Sequence, residues 1–426
     1  MIYIYIAISY ILYPFIHFFS IFNKRAWDFL YKRKVEKQEI LSMEPISRKV
    51  IWLHAASVGE LDQCKALAKT IKENEPETII IQSVFSESVK DNNLNSPHVT
   101  LHFHLPLDFY FAYDFIFEKF HPVALVIMAW DTWPNLVMTA KRNKCKVYLA
   151  CGTYSRSSGR NSFLMRLLTS EVFSKFDGIS PANELFERDF LSITRGKIHL
   201  KVCGDSRFDS VKEKILRMKP RDDFGKFISI YPYKNIIIFA STYSYCEREL
   251  FSSLPELIKN GNSIWIFPHK INPSRIEEIR GKLKDLNVDY FIYSQFFQLG
   301  NSAKDLPEKY YKVVIFDILG LLAFAYEKAI YAYVGGGMHF RVHNVLEPAY
   351  FGLPVITGTM IQNSPEAMLL SEKGGLFTVM NNKEFNEVTE KLKDNSLREE
   401  IKSLNTGFVN SGTGASLKFY REFLIK

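Results

Sequence analysis

Cysteine is scarce and scattered. The 426 residues hold five, Cys64, Cys145, Cys151, Cys203 and Cys246, with no Cys-x-x-Cys pair. An odd, widely spaced set excludes a disulfide framework, offers no zinc spacing and fits a reduced cytoplasmic setting. Nowhere do His, Cys and acidic residues cluster with ligand spacing, so no structural metal is expected. The glycine run Val334-Gly-Gly-Gly-Met338 has neither the G-x-G-x-x-G spacing of a dinucleotide fold nor the Gly-Lys-Ser/Thr of a P-loop. Dinucleotide and ATP-hydrolysis readings therefore lose support, and no cofactor is expected. A net charge of +8 is modest and diffuse; it argues against a nucleic-acid partner while allowing acidic substrates or an anionic membrane.

One absence is local. Residues 1–22 carry no formally charged side chain, and at about 1.5 Å per helical residue they just cover a bilayer core. A cleaved signal peptide would need a basic start and a small-residue cleavage site, and neither is there. The run is followed by Lys24, Arg25, Lys32, Arg33 and Lys34, which outweigh Asp28. Positive charge after the apolar run places the body that follows on the cytoplasmic side. A spanning helix and one lying in the interface both fit these residues. Either way the chain sits on a membrane.

What is present beyond residue 35 is an alternation. Runs such as Val50–His54, Thr78–Gln82, Val99–Phe103, Ala124–Met128 and Lys146–Ala150 read as buried strands, separated by helical patterns near 60–73, 109–120 and 134–143. The pattern restarts with Asn235–Ala240, Ser263–Phe267, Val313–Phe316, Ile330–Val334 and Pro354–Thr357. Strand–helix alternation predicts parallel sheets covered on both faces, and the chain length calls for two domains. The expected division is a membrane-associated helix and basic flank over 1–34, a first Rossmann-like domain over 35–219, a linker over 220–234 marked by Pro220, and a second over 235–426. The charged helical segment 382–425 closes the second half and is long enough to return to the first.

Candidate chemistry sits where strands end. Glu60 follows Ser57-Val-Gly59 at a strand-to-helix junction, where open α/β sheets bind ligands; there a carboxylate can take a proton from a hydroxyl. Gly59 lets a substrate approach the main chain. The blander reading of Glu60 is a first-turn acid favoured by the helix dipole. Asp131, before Thr-Trp-Pro-Asn, is a second acid at a strand end, or simply a cap. Ser241 and Thr242 follow a strand and can hold a phosphate; His269 and Lys270 occupy the equivalent point of the next unit and can stabilise phosphate charge. Asn344 can cap a helix from Val345, and Glu347 can accept from ribose hydroxyls.

Taken together, these stretches resemble the 3-deoxy-D-manno-octulosonic acid (Kdo) transferases of lipopolysaccharide assembly. The resemblance rests on Trp52-Leu-His-Ala-Ala-Ser-Val-Gly-Glu60, Trp133-Pro-Asn-Leu136, Phe239-Ala-Ser-Thr242, Phe316-Asp317 with Gly320, Val334-Gly-Gly336, His343-Asn-Val-Leu-Glu-Pro-Ala349, and Gly358 with Asn363. It implies an α/β GT-B fold, two Rossmann-like domains facing a central cleft, and inverting transfer of Kdo from CMP-Kdo to a lipid A precursor. It further implies attachment to inner-membrane lipids at the cytoplasmic face. Glu60 maps onto the family's general base, with Ser57, Gly59 and Asp131 on the acceptor side. Ser241, Thr242, His269, Lys270, Gly320, Gly336, Asn344 and Glu347 match donor-side positions or stand beside them. The chain departs from the family at Ala129-Trp130-Asp131, where members usually read Glu-Thr-Glu, and at His269-Lys270, Leu321 and Val342. Two rival readings remain open: a nucleotide-sugar epimerase on the same scaffold, and a membrane-bound nucleotide-sugar binder without turnover.

Overall fold

A computed structural model describes residues 1–86, 89, 94–154, 162–219, 221–231, 234–298 and 312–425; Pro220, expected to mark the linker, lies outside them. The chain divides into two units, one of residues 1–213 with 412–426 and one of residues 214–411.

In the first unit, six β-branched or apolar runs form parallel strands: β1 (Val50–Ala55), β2 (Ile79–Val84), β3 (Leu101–His104), β4 (Ala124–Met128), β5 (Lys146–Gly152) and β6 (Gly178–Pro181). Their order is β3-β2-β1-β4-β5-β6. Every residue of β1, β2 and β4 is buried, as expected of central parallel strands covered by helices on both faces. The order reverses between β1 and β4, which pair in register from Ile51↔Ala124 to His54↔Ile127. Segments leaving these two strands therefore emerge side by side, at the point where doubly wound sheets open a ligand crevice.

Two helices precede this sheet. The first, α1 (Ile2–Phe22), lies along the unit. Its Ile2 N–H donates to Glu171 at 3.0 Å, its Tyr5 hydroxyl to Asp108 at 3.0 Å, and its Ser9 hydroxyl accepts from Asn135 at 3.3 Å. The outward face is left apolar: Phe15, Phe18, Phe19 and Phe22 are all more than half exposed. Asn23 ends α1 and caps α2 (Lys24–Ser42), accepting from Ala26 N–H at 3.1 Å.

The terminal segment packs on the same unit through helical turns Ala415–Phe419 and Tyr420–Leu424. Tyr420 donates to Glu75 at 2.9 Å, Glu422 pairs with His199 at 2.7 Å, and the Phe423 ring lies 5.6 Å from Tyr148.

The second unit holds β7 (Ile236–Thr242), β8 (Ser263–Pro268), β9 (Phe291–Ile292), β10 (Val313–Ile315), β11 (Ala329–Val334), β12 (Val355–Thr357) and β13 (Leu376–Thr378). All pair in parallel, in the order β13-β12-β11-β7-β8-β10-β9. Here the reversal falls between β7 and β11, where Val334 pairs with Ala240.

Candidate active site and donor site

The helix after β1, α3 (Val58–Asn74), starts at Ser57 in extended conformation. Glu60, in its first turn, bends back over this start. Its carboxylate accepts from the Ala56 N–H at 2.6 Å and from the Ser57 hydroxyl at 3.1 Å. This is a reversed capping contact that holds the side chain in one place. Burial, and secondarily the charge of Asp131, push the Glu60 carboxyl up to about 7, against the opposing pull of these hydrogen bonds. The same carboxylate thus holds the start of the helix and sits in a setting that raises its pKa. Gly59, beside it, is exposed and leaves the main chain open.

Asp131 is buried in the loop leaving β4. That loop is held against preference: Ala129 and Trp133 both adopt left-handed backbone angles, at φ 62 and 42, which costs about 1 kcal/mol or more each for a non-glycine residue. The Ala129 N–H donates to Ala150 O at 2.9 Å and fixes the turn. Beneath it lie two residues that sequence reasoning did not single out as site residues. The His54 ring is fully buried, donates to or accepts from the Ser83 hydroxyl at 2.9 Å, and stands edge-on to Trp133 at 5.2 Å. Burial drives its pKa down to about 3, so it is neutral; its Nε2 and the Trp133 Nε1 are buried without partners. Their only signal in the sequence was a His and a Trp inside otherwise apolar strand-end motifs.

The second site is on the rim of the other sheet. Ser241, next to last in β7, has φ 51, and the loop after β11 passes directly over it. Gly335 has no room for a side chain, since a Cβ would come within 2.2 Å of Ser241 O. Gly336, at φ 98, would place a Cβ 2.1 Å from Arg341 O. Glycine is required at both positions by close backbone approach. His269 and Lys270, exposed after β8, complete the rim.

Between these residues stands an aromatic stack that the sequence reading missed. The Tyr243 ring lies 4.7 Å from His269 and 5.5 Å from His343, and His269 lies 4.6 Å from His343. The Tyr243 hydroxyl meets His343 Nε2 at 2.9 Å, and His339 packs edge-on to the same ring at 4.7 Å. Burial, then His269, Arg341 and His339, lower the pKa of His343 to about 4, so it is uncharged at neutral pH. The signal was only an aromatic residue directly after Ser-Thr.

Other expected donor residues are engaged elsewhere. Thr242 is buried and donates its hydroxyl to Glu247 at 2.6 Å; Glu247 in turn holds Arg275 and, at 2.9 Å, Lys282. That hydroxyl therefore closes a buried ionic cluster instead of facing the rim. Asn344 accepts from Leu346 N–H at 2.9 Å, just ahead of Val345, the N-cap of the short helix Leu346–Tyr350. Its amide also reaches Glu347 at 3.3 Å, and Glu347 pairs with Lys214. Gly320, at φ 87, is exposed in the turn after β10, whose Leu319 carbonyl accepts from Arg221 at 3.2 Å. Among the described residues, no group of His, Cys and acids could hold a metal ion.

Comparison with known proteins agrees with this geometry. Residues 29–210 match the family model of 3-deoxy-D-manno-octulosonic-acid transferase (kdotransferase). A 3-deoxy-D-manno-octulosonic acid transferase of Chlamydophila psittaci is 26% identical, covering 78% of this chain and 73% of its own. Another, of Haemophilus influenzae, is 24% identical over 76% and 75%. Among solved structures, UDP-GlcNAc 2-epimerase from Neisseria meningitidis superposes with a TM-score of 0.63 at 14% identity, covering 88% of this chain and all of that one. A glycosyltransferase from Rickettsia africae gives 0.57 at 12% identity, covering 88% and 97%. At such identities these structures establish the GT-B fold alone, so the epimerase likeness is one of scaffold. The family model lies within the first unit and the curated relatives span most of both chains, so over most of its length the chain is similar to 3-deoxy-D-manno-octulosonic acid transferases.

Proposed function

We propose that this protein is an inverting glycosyltransferase moving Kdo from CMP-Kdo to a hydroxyl of a lipid A precursor (lipid IVA), with Glu60 as general base. The observation that carries the proposal is the Glu60 carboxylate. It stands at the carboxyl end of β1, at the switch point of the sheet, oriented by Ala56 N–H and the Ser57 hydroxyl with a pKa near 7. A base with that pKa is half ionised at neutral pH and strong enough to accept a proton from an attacking hydroxyl. In the proposed step Glu60 takes the acceptor proton while the hydroxyl oxygen bonds to the anomeric carbon of Kdo. The bond from that carbon to the phosphate oxygen breaks, and CMP leaves with the electron pair. Asp131, Ser57 and Gly59 line the acceptor side. Charge on the departing phosphate falls to Lys270 and to the rim formed by Ser241, the Gly335–Gly336 turn and the His269–Tyr243–His343 stack.

The outward apolar face of α1 and the exposed Lys24, Arg25, Lys32 and Lys34 suit a helix lying in the interface of an anionic leaflet. We place the protein on the cytoplasmic face of the inner membrane on that basis. The test is mass spectrometry of a tetraacylated lipid A precursor after incubation with purified protein and freshly generated CMP-Kdo. A product heavier by one or more Kdo units, absent with Glu60→Gln, supports the reaction and the base. Saturable CMP binding without product would favour a nucleotide-sugar binder that has no turnover.

A further inference from the structure

α1, α2 and the loop after β3 enclose a pocket of about 540 Å³, among whose lining residues are Tyr13, Trp27, Tyr31, Lys34, Lys37 and Phe111. Its size falls within the usual range for small-ligand sites, roughly 300–1,000 Å³. The walls are pinned. Asp108, at the root of the loop, accepts from the Tyr5 and Tyr113 hydroxyls at 3.0 and 2.8 Å and from the N–H groups of Asn135 and Leu136 at 3.2 and 3.1 Å. Arg33, on the facing helix, donates to the carbonyls of Leu105 and Phe85 at 2.8 Å each.

The pocket is graded along α2. Trp27, Leu30, Tyr31, Lys34 and Lys37 follow one another at helical spacing, so they share one stripe. Trp27 and Tyr31, stacked with ring centroids 6.4 Å apart, are half exposed at 51% and 56%. Lys34 and Lys37 follow about 5–15 Å further along the axis at 1.5 Å per residue. An apolar slot with cations at one end matches an acyl chain that carries an anionic head. From Arg33, a lining residue whose guanidinium lies over the Phe29 ring, ring contacts run inward to His54 of β1. Phe29 lies 5.7 Å from Phe85, Phe85 lies 4.7 Å from Trp133, and Trp133 lies 5.2 Å from His54. The loop after β3 is two strands from β1, about 10 Å at the usual strand spacing. That is within the reach of a sugar head group.

We infer that this pocket takes one acyl chain of the phosphorylated glycolipid acceptor, with Lys34 and Lys37 reading a phosphate of its head group. The inference rests on the proposed transfer and adds a place for the acceptor within it. Bulk phospholipid would fill an apolar slot equally well, but it has no sugar hydroxyl to bring toward Glu60, which follows a strand two places along the sheet.

Two measurements test it. First, the full-length protein is photolabelled with a lipid A precursor carrying a diazirine in one acyl chain, and the labelled peptides are mapped. Label on residues 24–37 and 106–112, displaced by unlabelled precursor and not by phosphatidylglycerol vesicles, is the expected result. Label elsewhere, or equal displacement by phosphatidylglycerol, overturns the assignment. Second, Trp27→Glu/Tyr31→Glu and Lys34→Gln/Lys37→Gln are assayed for transfer to the acylated precursor and to its deacylated, water-soluble backbone. The expected outcome is a KM for the acylated acceptor raised about tenfold or more, equivalent to losing about 1.4 kcal/mol of binding. kcat and KM for CMP-Kdo should hold in both variants. The deacylated acceptor, which lacks the chains and keeps the phosphates, should be turned over normally by Trp27→Glu/Tyr31→Glu and with a raised KM by Lys34→Gln/Lys37→Gln. Equal loss on both acceptors with Trp27→Glu/Tyr31→Glu, or no change on either acceptor with either variant, rejects the pocket. If the wild type transfers Kdo to neither acceptor, the proposed reaction fails, and the photolabelling still decides the pocket.

Discussion

Replacing Glu60 by Gln should make the protein inactive and, above neutrality, more stable. Burial and Asp131 hold the Glu60 carboxyl at about 7, against 4.5 in an unfolded chain. Between those values the unfolded state has released its proton and the folded state has kept it, so stability falls as pH rises through that window. Below 4.5 both states are protonated and the effect is absent; above 7 it is fully developed. The gap corresponds to about 3 kcal/mol, and solvent reaching the partly exposed carboxylate trims it to about 1–3 kcal/mol. Glutamine does not titrate and keeps an acceptor oxygen for Ala56 N–H. Urea unfolding at pH 5 and at pH 8 should therefore show near-equal stability at the lower pH and a variant more stable by about 1–3 kcal/mol at the higher. In the same protein, kcat/KM for Kdo transfer should rise with pH through about 7 in the wild type and fall by about 10²–10⁴ in the variant. A variant destabilised equally at both pH values, or a wild-type rate flat across this range, refutes the account of a buried, poised base.

Asp131→Asn removes the second cause of the raised Glu60 pKa, so the acid limb of the pH–rate profile should move to lower pH; an unmoved limb would disconnect the two carboxylates. Gly336→Ala forces a Cβ against Arg341 O at a backbone angle that L-residues avoid, and isothermal titration should show CMP binding weakened at least tenfold. Glu247→Gln removes the buried carboxylate that Arg275 and Lys282 share, leaving them Glu278, with an expected loss of about 1–3 kcal/mol in chemical denaturation.

Much of the fold was legible along the chain. The strands with long apolar runs, Val50–Ala55 and Ile236–Thr242 among them, declared themselves because both faces of a central parallel strand are buried. The short strands β6, β9 and β13 did not, since Gly178-Ile-Ser-Pro181, Phe291-Ile292 and Leu376-Phe-Thr378 are too brief for periodicity to register. At the site, Glu60 was visible from its place after Ser-Val-Gly. Tyr243, His269 and His343 became a stack only when β7, β8 and β11 lay side by side. Thr242 shows the converse: its neighbours in sequence suggested a ligand hydroxyl, and a distant Arg275 and Lys282 gathered around Glu247 to engage it instead.

By itself, then, the sequence determined the alternation of strand and helix, the uncharged amino-terminal helix and the position of a carboxylate at a helix start, because these depend on burial pattern and backbone chemistry within a few residues. Tertiary structure alone decided the strand order that sets Asp131 beside Glu60, the return of residues 412–426 to the first unit, and the pocket between α1, α2 and the loop after β3. Each of these joins residues far apart in the chain. Their pairing follows from covering both faces of a sheet at once, a condition no local stretch contains.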